Sequence, residues 1–104
     1  MSKRLTMLEQ LTASGKADAF TWYALALEYK STGRHADALR AFHALRDLDP
    51  DYVPMYLMAG SMLVETGALE DARAWLTAGI ARAQTAGNDH ARSEMEGILA
   101  SMEE

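Results

Sequence analysis

Apolar residues recur three and four positions apart along almost the whole chain, and no stretch of strand length alternates apolar with polar. The pattern predicts an all-α protein. Its clearest run is FTWYALALEYKST, where Asp18 is placed to cap the first turn and Gly33 to end the helix in a left-handed conformation. A second helix is predicted over HADALRAFHALRDL, with Ala38, Leu39, Phe42, Leu45 and Leu48 on its apolar face. A third begins at Pro54, whose missing N–H is harmless in a first turn, and stops before Gly67. A fourth starts near Leu69, with Glu70 and Asp71 at the positive end of its dipole, and runs to about Ala83. Gly87 and Asn88 then separate it from a last amphipathic helix that puts Ala91, Met95, Ile98, Leu99 and Met102 on one face. Ahead of these, residues 3–13 form a further predicted helix.

Displacing the chain by 34 positions superposes Trp22 on Tyr56, Leu25 on Ala59, Tyr29 on Leu63, Gly33 on Gly67, Ala38 on Ala72 and Phe42 on Leu76. Such a period marks a repeated helix pair. A second displacement sets Leu8 under Phe42 and Leu11 under Leu45, so the first helix reads as the second half of a degenerate earlier repeat. Between the two repeats lies DLDPDYVP, whose carboxylates on alternate positions begin like a calcium loop. That loop needs a glycine sixth and a glutamate twelfth, where the chain has Tyr52 and Met58. The competing reading is an inter-repeat turn: Leu48 packs back, Pro50 stops the helix, Asp51 or a neighbour caps the next, and Pro54 enters it.

Trp22, Leu25, Ala26 and Tyr29, followed by Ala38, Phe42 and Pro50, reproduce W-x2-L-G-x2-Y, A-x3-F and P, with alanine in place of the first glycine. On these residues, with Gly33 at the turn and Leu48, Asp49 and Pro50 closing the unit, the chain resembles the tetratricopeptide repeat (TPR) family. The second unit keeps Tyr56, Ala59, Gly60, Gly67, Ala72 and Leu76 but has Gln84 where proline is expected. The architecture so implied is a TPR-like α-α solenoid of antiparallel helix pairs, a single domain over 1–104. Its parts are a half-repeat helix at about 3–13, repeat one at 19–52, repeat two at 53–86 and a capping helix at 88–104. Small residues at Ala26, Gly60, Ala38 and Ala72 let paired helices approach, and Asp89, Arg92, Glu94, Glu96 and Glu103 give the cap a polar face.

The resemblance also implies where a partner binds. In this family the first helix of each repeat lines a concave groove that receives a peptide or helix. The matching positions are Phe20, Tyr23, Ala24, Leu27 and Lys30 in repeat one, and Leu57, Met58, Ser61, Val64 and Glu65 in repeat two. The alternative is that the terminal helices cover this surface, making Tyr23, Leu27, Leu57 and Met58 core. Members that hold acidic chaperone tails use Lys and Asn here, and only Lys30 is cationic nearby, which argues against that ligand. Methionine suits a permissive groove and also fills core gaps; Met62 is assigned to the core and Met58 to the groove. Trp75 is read as a packing residue, with an exposed dimer contact as the alternative.

Composition narrows the function classes. A chain of 104 residues with 49% hydrophobic and 24% charged residues fits one modest globular domain. Without cysteine there is no disulfide, thiolate nucleophile or cysteine zinc site. A net charge of −5 argues against nucleic acid, whose phosphates require clustered Lys and Arg. Residues 1–46 carry seven basic and four acidic side chains, residues 47–104 three and eleven, which reads either as uneven solvated surface or as end-to-end electrostatic association. His35, His43 and His90 form no i, i+4 pair and read as surface residues. No nucleophile elbow, P-loop or dinucleotide fingerprint occurs, so neither catalysis nor a cofactor is expected. The basic opening lacks a signal peptide's apolar core, and no uncharged run reaches membrane length; a cytoplasmic location is the expectation. Together these readings point to a non-catalytic protein–protein interaction adaptor, with a self-associating homodimer module as the alternative.

Overall fold

Side-chain caps mark the starts of three helices. The Asp18 carboxylate accepts the Thr21 N–H at 2.9 Å, the Asn88 amide oxygen accepts the Ala91 N–H at 3.1 Å, and the Ser2 hydroxyl accepts the Leu5 N–H at 3.0 Å. In the computed structural model, which describes residues 2–103, the elements are α1 (Lys3–Ala13), α2 (Ala19–Ser31), α3 (His35–Leu48), α4 (Val53–Glu65), α5 (Leu69–Thr85) and α6 (Asp89–Met102). All regular structure among the described residues is helical.

The 34-residue period reappears as a repeated turn. Gly33 (φ 78) and Gly67 (φ 82) each take a left-handed conformation. Behind Gly33, the Arg34 N–H donates to the Tyr29 carbonyl at 2.9 Å and the Gly33 N–H to Lys30 at 3.1 Å. Behind Gly67, Ala68 and Gly67 donate to Leu63 and Val64 at the same two distances. Each is a Schellman closure that satisfies the last carbonyls of a first helix.

The chain divides into two compact units, one ending at Pro50 and the other starting at Asp51. In the first, α2 packs against both α1 and α3. Ala26 and Ala38 are fully buried, and with them Leu5, Leu25, Tyr29, Phe42 and Leu45. In the second, α4 packs on α5, and α6 packs on both. A Cβ added to Gly60 would lie 2.5 Å from a Leu76 methyl, so the missing side chain sets the α4–α5 approach. Gly79 does the same from α5, where a Cβ would lie 2.4 Å from the Tyr56 Cβ and 2.5 Å from the Met95 sulfur. Trp75 is buried with its ring 5.9 Å from that of Tyr56, which makes it a packing residue.

One detail of the turn after α3 departs from the sequence reading. Leu48 does not pack back; it is 53% exposed, because the helix has turned that position outward by its last residue. Of the alternatives for the cap of α4, the position falls to the neighbour Tyr52, without a side-chain bond, and not to Asp51. The Asp51 carboxylate instead accepts the Arg82 guanidinium at 2.6 Å, which raises the arginine's pKa.

Candidate protein-interaction surface

A helix that is apolar on every side has to be covered on every side or leave apolar surface over. α2 and α4 are such helices. On α2 the inward stripe is Leu25, Ala26 and Tyr29. The opposite side carries Phe20, which is 65% exposed, and the half-buried Tyr23, Leu27 and Lys30. On α4, Tyr56, Ala59, Gly60 and Leu63 turn inward, while Leu57, Met58, Ser61 and Val64 stay half-buried and Glu65 is exposed. Each row therefore follows one side of its own helix, within its own unit.

Ala24 departs from this arrangement. It is buried at 7% exposure, since its short side chain is covered by its neighbours, and so it offers no contact surface. Met62 is fully buried and Met58 is not, as their positions on the helix require. His43 and His90 are exposed and His35 is half-buried. Among the described residues no three His, Asp or Glu side chains converge as metal ligands, and Asp51 of the DLDPDYVP turn is engaged with Arg82.

A polar cluster that the sequence pattern did not single out stands at the C-terminal end of α2. The Tyr29 hydroxyl donates to Glu9 Oε2 at 2.5 Å, and the Arg34 guanidinium lies 4.6 Å from the Tyr29 ring centre. Burial, then the hydrogen bond to Glu9, push the phenol's pKa up to about 12. Spacing gives no sign of a contact between residues twenty apart on different helices. At the other end of α2, the Thr21 hydroxyl and backbone N–H hold the Asp18 carboxyl below its ordinary range.

Paired antiparallel helices closed by the same glycine turn, with apolar rows left on the first helices, define an α-helical repeat module. The tetratricopeptide repeat family profile matches residues 31–93, more than half of the chain. The chain belongs to the tetratricopeptide repeat family. Its fold is similar to the solution structure of a Bordetella parapertussis protein, at 26% identity and a TM-score of 0.83 over 97% of this chain and 88% of that one. It is likewise similar to a tetratricopeptide repeat domain protein of Salinibacter ruber. The crystal structure of that protein gives 32% identity and a TM-score of 0.76 over 84% of this chain and 97% of that one. Its solution structure gives 32% identity and a TM-score of 0.75 over 81% and 85%. No curated protein sequence gives a significant match. Repeats of this family generally mediate protein–protein interaction and are non-catalytic, and no helix among the described residues is long and apolar enough to cross a membrane.

Proposed function

We propose that this chain is an adaptor that holds a peptide or helix of a partner protein on the outward sides of its first helices. The observation that carries this reading is the row formed by Phe20, Tyr23, Leu27 and Lys30, apolar for most of its length yet left partly open. Leu57, Met58, Ser61, Val64 and Glu65 make the corresponding row on α4. Such rows bury apolar area on binding. A photoreactive phenylalanine analogue in place of Phe20 tests the reading. It is expected to cross-link a discrete protein in native cell extract, whereas the same analogue at exposed Ala81 on α5 should not. Equal labelling from both positions would count against it.

A second reading is favoured by α1. Met7 and Leu11, one turn apart, are 56% and 44% exposed, and such a pair can be covered by a second copy. Under that reading sedimentation shows a dimer that Met7→Lys disperses. A monomer at every concentration would rule it out.

A further inference from the structure

Two helices lack the partner that the repeat period assigns them. Leu25, Ala26 and Tyr29 of α2 are buried, as are Ala59, Gly60 and Leu63 at the matching positions of α4. One period further on, α6 has Ser93, Glu94 and Gly97, and all three are exposed. Its buried residues, Ala91 and Met95, lie on the opposite side. In this register α6 is a first helix without its second. The reverse holds for α1. Ala38, Ala41, Phe42 and Leu45 are the buried residues of α3, and one period earlier stand Arg4, Met7, Leu8 and Leu11. Of these four, Leu8 alone is buried. α1 is a second helix without its first.

Contacts inside the chain give the register in which a first and a second helix meet. Tyr56 of α4 packs on Trp75 of α5, and a Cβ on Gly79 would touch the Tyr56 Cβ. In the first unit Trp22, the counterpart of Tyr56, shares a cleft of about 360 Å3 with Ala13, Ala41 and Ala44, of which Ala41 is the counterpart of Trp75. Moved by whole periods, Tyr56 becomes His90, Trp75 becomes Met7 and Gly79 becomes Leu11. Gly60, which admits Leu76, becomes Glu94, so α6 and an α1 would stand further apart than α4 and α5 do. Leu76 becomes Leu8, and Arg4 lies one turn before it, within reach of Glu94. Both charges already have exposed partners, Glu28 for Arg4 Nε at 3.1 Å and His90 for Glu94 at 2.6 Å, and pairs of this kind exchange at little cost. The helices also carry opposite net charge: Lys3 and Arg4 outnumber Glu9 on α1, while Asp89, Glu94 and Glu96 outnumber Arg92 on α6.

We propose that α6 of one copy takes up α1 of another, so that two chains complete one repeat between them. Met7 and Leu11 close on His90, Arg4 meets Glu94, and Gly97, with nothing near its missing Cβ, leaves room for the approach. The contact is heterologous, since each copy in such a pair keeps one of the two helices unused. This rests on the reading in which a second copy covers α1, and it names the surface that does the covering.

A single helix pair is a small interface of the transient kind, so covalent capture suits it. The chain has no cysteine of its own, and introduced thiols therefore report on this contact alone. Leu11→Cys and His90→Cys, both at exposed positions, are prepared separately and mixed in equal amounts in a glutathione redox buffer, where disulfides exchange to equilibrium. Their counterparts Gly79 and Tyr56 show that these positions come within reach of a disulfide. The mixed disulfide is expected to exceed the two symmetrical ones together about fivefold or more, against parity for random collision. With Ala81→Cys in place of His90→Cys the excess should vanish. An excess of the symmetrical Leu11→Cys product would overturn the pairing with α6 and leave a second copy on α1 standing. Parity, no protein disulfide, or the same excess with Ala81→Cys would overturn both.

Discussion

Gly79 and Gly60 both sit where a side chain would collide, yet the two collisions differ. At Gly60 the clash is with the branched end of Leu76, which can rotate. At Gly79 it is with the Cβ of Tyr56, fixed to the α4 backbone, as well as with Met95. Alanine gains about 1 kcal/mol of helix propensity over glycine, so overpacking must exceed that to dominate. Gly79→Ala is expected to destabilise by about 1–3 kcal/mol and Gly60→Ala by less, read from urea midpoints of the two variants. Tyr29 gives a second residue-level expectation. Its folded pKa of about 12 lies above the ordinary phenol value of 10.0, so the phenol stabilises the fold below pH 10. That contribution is lost as pH rises from 10.0 towards 12. Melting temperature should fall across this window, and Tyr29→Phe should flatten the fall; an unchanged slope would show that Tyr29 is not its source. Neither Gly79 nor the Glu9–Tyr29 contact was legible in the sequence. A glycine inside a helix announces a close approach but not to what, and spacing does not reveal which carboxylate meets a phenol across helices.

At the scale of elements most of the architecture was legible, because period, caps and turn glycines are local properties of the chain. Asp18 caps as read, Asn88, read only as a separator, caps the last helix, and the Gly33 and Gly67 turns recur at the interval that superposed Trp22 on Tyr56. The equivalence of the two turns gives an expectation in turn. Gly33→Ala and Gly67→Ala should each cost about 1–2 kcal/mol, since both force alanine into the left-handed region with no clash to add. Denaturation curves that differ widely between the two would contradict the equivalence. What local pattern missed is where a helix faces at its end. Leu48 falls on the apolar side by counting and yet lies exposed at the last residue of α3, beyond the neighbours that would cover it. The first-unit cleft escaped for a related reason. The spacing singles out none of Ala13, Ala41 and Ala44, and the space beside them shows only in the fold.

For the molecule as a whole, the distribution of charge and apolar surface bears on association. Basic residues predominate over 1–46 and acidic ones over 47–104. If copies associate through opposite charge, sedimentation at low salt should show assembly that raised salt disperses, whereas association through Met7 and Leu11 should persist. The central claim concerns the α2 row, which is held to be dispensable for folding and required for a partner. Leu27→Glu tests it most directly when helical circular dichroism and affinity capture are measured on the same preparation. The account predicts an unchanged spectrum, a cooperative melt and loss of the captured partner. A collapsed spectrum, or capture equal to that of the unaltered protein, would contradict it.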